Sequence, residues 1–441
     1  MDITPFGDGR DEDDLGREAR PQRDRASPDD DGAVLAFSAG TIRLRAVNKA
    51  MIVDGMRDEA VANAAIRLGP LFATTNRFGN AEIDISGLPD GVHDLEIDGE
   101  VTSTDAVGPD LEIPDGADYI WAPFRAKVEK VGLDVTPVDG TADLDLVSGA
   151  LRAALRPMWI ASGAITEGGM VRVEHVIIHH TAGFNARSDL NALAYGGGVS
   201  AHYLVPPTGE TIKLVREVDR AWHAGYSHWQ GREALNKLSI GIEITHHDGP
   251  FNPEQIDAVE ELVGRIVAAS PDLMPQNIIA HSDIALNRPA ARPPKTLNRK
   301  SGDPSSRFPW ERLEARQWGL VPEARALPDA FLGGYFVHRP DGALVRGDRD
   351  SAQVYGGEVV DEVEDAVAGL QEHLALIGYY VGAVDGQFGS VTGWAVRLFQ
   401  QHIFSGIRQT GDDPENSGDG RCDRATAEML IAVRAAPGLG M

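Results

Sequence analysis

The chain has 441 residues, 42% of them hydrophobic, so at the usual ~100 to 200 residues per domain it can build several cores, and three domains are expected. Its 41 basic and 67 acidic residues give a net charge of -26, which argues against nucleic acid as a partner and against long-range attraction to an anionic cell wall. The single cysteine, Cys422, excludes an intramolecular disulfide and any multi-cysteine metal site.

Residues 1–32 carry eleven acidic and five basic side chains and almost no large apolar ones, a composition that predicts a disordered tail. The N-terminus lacks the basic start and apolar core of a secretory signal, and no apolar run of ~18 residues exists to span a membrane. From 33 to 163, alternating stretches such as AVLAFSAGTIRLRAV, NAEIDISGL and HDLEIDGEV are separated by turn signals like LPDG, predicting an all-β, sandwich-like accessory domain, whose function the sequence does not state: a spacer or docking unit is the first reading and a sugar-binding module the alternative.

The pattern changes over 164–325. Strand-like VRVEHVIIHH, SAHYLV, ETIKLV and LSIGIEIT are interleaved with PEQIDAVEELVGRIVAAS, where Pro253 opens a helix and Ile256, Val259, Leu262, Val263, Ile266 and Val267 share one face. This predicts a central α/β domain, a mixed β-sheet flanked by helices. Nine of the thirteen histidines lie in it, so acid/base and metal-ligand capacity is concentrated there. A Gly-, Asp- and Arg-rich linker over 326–358 leads to helical patterns in 359–441, read as a three-helix module.

VIIHHTAG sets His179 and His180 at the end of a buried strand, where successive side chains point to opposite faces, so only one of them can face a shared site. His281 follows the apolar NIIA in the same way. Glu243 interrupts the apolar SIGIEI, either as an outward-facing residue of an alternating strand or as a buried carboxylate with a task.

The order and spacing of IIHHTAG, SAHYLV, AWHAG, SIGIEI, AHSDIA and DPSSRFPW carry more information than any one of them. Together they resemble the zinc-dependent N-acetylmuramoyl-L-alanine amidases of the peptidoglycan-recognition fold, a group that includes phage lysozyme-type and muropeptide-recycling amidases. The resemblance covers about 171–318. It implies one Zn2+ held by His179, His281 and Asp303, with Glu243 as general base, and it places His202, His223 and Asn236 near the substrate groove. Some members use a cysteine as third ligand; the only cysteine here lies more than a hundred residues downstream, so an aspartate oxygen takes that place. His180 is read as packing. Family members often carry a transition-state lysine two residues before the third ligand, but RKSGDP puts Lys300 three before it, with Arg299 or His223 as the alternative positive group.

LQEHLALIGYYVGAVDGQFGSVTGWAVRLFQ resembles the peptidoglycan-binding domains found beside wall hydrolases, with Thr392, Ala395, Val396 and Phe399 on a buried helix face. The acidic DDPENSGDG reads as a solvated loop. These resemblances imply cleavage of the amide between N-acetylmuramic acid and L-alanine, with peptidoglycan or muropeptides as partners. The alternatives are a non-catalytic peptidoglycan-recognition protein and a wall-degrading part of a phage-like particle or secretion apparatus. Without a signal, action at the wall would follow non-classical delivery or lysis, and the wall-binding module argues against cytoplasmic recycling.

Overall fold

The computed structural model describes residues 40–51, 59–98, 119–138, 143–147, 150–285, 302–304, 307–320, 353–355, 358–360, 366–380, 382–404 and 420–434. The expected acidic tail, Lys300, Arg299 and most of the DDPENSGDG loop lie outside them.

Alternation of apolar and polar residues produces two sheets ahead of the central domain. One has four strands in the order Asn80–Asp84, Thr41–Asn48, Ala150–Leu155, Leu144–Val147. The other has five, in the order Leu71–Thr74, Ala65–Leu68, Gly91–Asp98, Phe124–Val131, Asp134–Pro137. Their inward residues, among them Leu44, Ile66, Ile83, Leu95, Val128 and Leu151, form one buried cluster. Alternate positions of Ala65–Leu68 and Asn80–Asp84 remain exposed, as expected where one face of a sheet is wet; the five-stranded sheet is antiparallel, whereas Thr41–Asn48 and Ala150–Leu155 pair in parallel within the four-stranded one.

The central sheet has seven strands, in the order Ile278–Ala280, His175–His180, Ser239–Ile244, Tyr203–Val205, Ile212–Lys213, Pro157–Ile160, Tyr119–Trp121. The first four run parallel to one another, and the sheet is mixed beyond them. Its last two strands come from the stretch that the sequence assigned to the accessory domain, so the boundary expected at 163 falls inside the packing of this sheet. Ser239–Ile244 is buried along its whole length, as a parallel strand covered on both faces must be.

The two coverings differ. Val176, Ile178, Ile240, Ile242 and Ile278 pack against Ile256, Val259, Leu262, Val263 and Ile266 of the Pro253–Ala269 helix. This is the helix face read from the sequence, and Pro253 stands in its first turn. Residues of opposite parity, Ile177 and Ile279, join Trp229 and Ile284 in a core that continues into Leu370, Leu374, Ile377, Tyr379, Val396 and Phe399. Leu370, Leu374 and Ile377 belong to the C-terminal helix Ala366–Ile377 and Val396 and Phe399 to Ser390–Ile403, with Tyr379 between the two, and Arg424–Arg434 adds Ala427, Leu430 and Val433 to the same core. The expected third helical unit is therefore present, but its core is continuous with that of the central domain. Across the boundary expected at 358, Gln353–Tyr355 pairs with Glu358–Val360. Among the described residues no helix is long and apolar enough to cross a membrane.

Candidate metal centre

His179 occupies the strand position two beyond Ile177 and so points to the same face. In the parallel register it stands beside Glu243, and the Glu243 carboxylate lies 3.8 Å from His179 Nδ1. Glu243 is thus a buried residue at the histidine's side, and the outward-facing alternative does not apply. The strand Ile278–Ala280 lies on the other flank of His175–His180 and passes directly into a short helix whose first residue is His281.

Asp303 reaches the same place from a loop. Its Oδ2 is 2.8 Å from His281 Nδ1 and its Oδ1 is 3.9 Å from His179 Nδ1. The His180 backbone N–H donates to Asp303 Oδ1 at 3.1 Å, and the Ser282 N–H donates to the Asp303 carbonyl at 2.7 Å, so both strand ends hold the aspartate. One donor atom from each of His179, His281 and Asp303 lies within 4.8 Å of the others. Burial alone would raise the Asp303 pKa, but the facing His281, its hydrogen bond, and His179 and His180 hold the carboxyl well below the usual carboxylate range.

Hydrogen bonds behind the group select the tautomer of His179. The Ser239 hydroxyl donates to the Leu235 carbonyl at 2.7 Å, which leaves its oxygen to accept from His223 Nε2–H at 3.3 Å. Burial, reinforced by the neighbouring histidines, pushes the His223 pKa well below 6.5, so its ring is neutral and Nδ1 is an acceptor. That nitrogen is 3.0 Å from His179 Nε2, which must then carry the proton. The lone pair of His179 is left on Nδ1, on the side of Asp303 and Glu243. Gly241 makes room for this ring: a Cβ there would lie 2.5 Å from the His223 imidazole, which meets His179 edge to face.

This places His223 differently from the sequence expectation. It backs the metal candidate instead of lining a groove, and as a neutral ring it is no substitute for a positive group. His202 is fully buried; its Nδ1 accepts from the Gly241 N–H at 3.0 Å and its Nε2 donates to the Asp219 carbonyl at 3.2 Å. Asn236 is also buried, and its Oδ1 accepts the backbone N–H groups of His223 and Ala224 at 3.0 and 2.7 Å. Both act on the scaffold of the site, and neither presents its side chain to a groove in this arrangement. His180 is half-buried and its ring neighbours that of His246 at 5.9 Å.

Sequence reasoning passed over Ser239 and Asp189. Buried Asp189 accepts from the Thr181 hydroxyl at 2.8 Å, fixing the turn that follows the two histidines. A serine at the head of an apolar strand and an acidic residue eight positions after Thr181 were the available signals.

The donor set fits a metal ion that accepts nitrogen and oxygen: two imidazoles, one with its lone pair fixed, and one ionised carboxylate that accepts the His180 backbone N–H. An ion held by these three residues alone would keep a coordination position for a small molecule, the arrangement of catalytic rather than structural zinc. By class, then, the central domain is an α/β domain with a buried His/His/Asp metal candidate and an adjacent glutamate.

The sequence model of the family described as N-acetylmuramoyl-L-alanine amidase matches residues 169–294, and a peptidoglycan binding domain model matches residues 363–412. N-acetylmuramoyl-L-alanine amidase AmiD of Escherichia coli is 34% identical over 186 residues, covering 38% of this chain and 62% of AmiD. The 1,6-anhydro-N-acetylmuramyl-L-alanine amidase AmpD of Citrobacter freundii is 34% identical over 138 residues, 30% of this chain and 67% of AmpD. The solved complex of E. coli AmiD with anhydro-N-acetylmuramic acid-L-Ala-D-γ-Glu-L-Lys is similar with 28% identity and a TM-score of 0.42, covering 62% of this chain and 92% of that one. The chain belongs to the N-acetylmuramoyl-L-alanine amidase family. It spans less than two thirds of the length of AmiD.

Proposed function

We propose that this protein hydrolyses the amide bond between N-acetylmuramic acid and L-alanine in bacterial peptidoglycan, with His179, His281 and Asp303 holding a zinc ion. The observation that carries the reading is the convergence of their three donor atoms within 4.8 Å, beside a buried glutamate 3.8 Å from one of them. Zinc in such a site lowers the pKa of a water toward ~7 and polarises a carbonyl oxygen.

The chain's own residues supply the rest. Glu243 accepts the proton of the attacking water as its oxygen bonds to the lactyl carbonyl carbon. When the carbon–nitrogen bond breaks, the same carboxyl returns that proton to the leaving amine of L-alanine. His223 keeps the His179 ring in the orientation that presents Nδ1. Lys300, three positions before Asp303 in the sequence, supplies positive charge to the tetrahedral oxyanion. The C-terminal helices bind the polymer and raise its local concentration at the site, so the protein acts at the wall.

Zinc-loaded protein incubated with purified sacculi is expected to release new L-alanine amino termini. Glu243→Gln should keep the metal and lose turnover by about 100-fold or more. Release at the normal rate by that variant would remove Glu243 from the mechanism. Binding to sacculi with every amide left intact would show recognition without catalysis.

A further inference from the structure

The C-terminal helices reach into the segment that bears His281. Asp283, two residues after that histidine, is buried, and its Oδ2 accepts the backbone N–H of Ala280 at 3.0 Å, closing the first turn of the short helix. The same oxygen accepts Nδ1–H of His402, 2.8 Å away on the Ser390–Ile403 helix. The hydroxyl of Tyr379, between the first two C-terminal helices, lies 3.1 Å from that ring nitrogen. His402 also stacks on Trp310 with ring centroids 3.9 Å apart, and Trp310 opens the helix that follows the Asp303 loop. One imidazole of the C-terminal module thus touches the segments that carry two of the three candidate ligands.

The contact is built closely on both sides. Gly378 has φ +124°, and a Cβ there would sit 2.7 Å from the Trp229 ring. Trp229 meets Tyr379 edge to face at 5.2 Å, and Gln230 Nε2 donates to the Ile377 carbonyl at 3.1 Å. A module serving only as a tether needs neither a core shared with the catalytic domain nor a buried hydrogen bond to the residue that caps a ligand-bearing turn.

We infer that His402, supported by Tyr379, is a positioning residue for the metal centre: through Asp283 it fixes the backbone at Ala280–His281, so the C-terminal module completes the catalytic unit. The inference builds on the metal-site reading above. Without the imidazole donor, the buried carboxylate keeps, among the described residues, the Ala280 N–H and the nearby phenol as fixed partners, and the turn that aims His281 loosens. Partners that orient ligands in this way typically set metal affinity by about 10- to 100-fold.

The test uses the full chain. His402→Phe keeps a ring on Trp310 and removes the donor, whereas His402→Asn restores a donor close to the position of Nδ1. Three readouts separate positioning from packing: hydrogen exchange of the Ala280 amide in metal-free protein, zinc affinity by chelator competition, and binding to sacculi. His402→Phe is expected to speed Ala280 exchange about 10-fold. Its zinc affinity should fall by about 10- to 100-fold while sacculus binding is preserved, and His402→Asn should recover part of both losses.

A folded His402→Phe protein with wild-type Ala280 exchange and wild-type zinc affinity would overturn the inference. If His402→Phe does not fold, Tyr379→Phe replaces it with an expected change of about threefold in the same two quantities, and no change there overturns it equally. Should the wild-type chain bind no zinc at all, the metal-site reading fails on its own, and the exchange measurement still decides whether His402 holds the turn.

Discussion

His179 Nε2 and His223 Nδ1 lie 3.0 Å apart, the second of them anchored to Ser239. The pair converts a hydrogen bond to the Leu235 carbonyl into a choice of tautomer two rings away, because each donor along the line fixes the acceptor that follows. A metal ion held as proposed would meet a lone pair already in place at Nδ1. His223→Ala removes the acceptor and opens a cavity beside Gly241. Its zinc affinity is expected to be about 10- to 100-fold lower than wild type, measured by competition with a chromogenic chelator.

Removing the metal should cost stability in proportion to occupancy. Free zinc at about 100 times its dissociation constant stabilises the folded chain by about 2.7 kcal/mol if the unfolded chain binds none. Thermal melts with and without added zinc should show that increment for the wild type and for Glu243→Gln. His281→Ala and Asp303→Ala each delete a donor from the cluster, so their melting temperatures should not respond to zinc.

How much of this was legible in the sequence depends on distance along the chain. His179, Glu243 and His281 sit on or next to apolar strands, and strand parity alone narrows which of two adjacent histidines can face a site. The apolar face of the Pro253–Ala269 helix was equally plain, since its residues are spaced at helical intervals. The role of His223 was not legible, because no periodicity tells that a ring from a separate segment will fill the space left by Gly241. Pro157–Ile160 reads as a short apolar run, and nothing local says which of two sheets it will join. The His402–Asp283 contact spans 119 positions and is invisible to any local pattern.

Acid should destabilise the fold before carboxylates are protonated. Burial lowers the pKa of both His175 and His202 to about 4, whereas in the unfolded chain a histidine titrates near 6.5. Between those values the unfolded state binds protons that the folded state refuses, so stability rises with pH across the window. The contribution is complete above pH ~6.5, declines as the pH falls, and is gone below about 4. Each group accounts for about 3 kcal/mol at most. Urea unfolding at pH 7.5 and at pH 5 should show the loss. His175→Leu should reduce the pH dependence, since leucine binds no proton in either state and removes this group's share of the titration.

The continuous core between Trp229, Ile284 and the C-terminal helices predicts that the central domain and that module unfold as one cooperative unit. A linker-joined module would unfold in a transition of its own, with a midpoint insensitive to substitutions in its neighbour. Trp229 is fully buried between Gly378 and Tyr379, so Trp229→Ala removes a large aromatic surface and leaves a cavity at the junction. The expected cost is about 3 to 5 kcal/mol. Because the lost contacts belong to both sides, catalytic-domain and C-terminal amides should lose protection together in native-state hydrogen exchange. Zinc should restore part of the protection on both sides, since stabilising either half stabilises the unit. If the C-terminal amides keep wild-type protection while those of the central sheet lose it, the two halves are separate folding units.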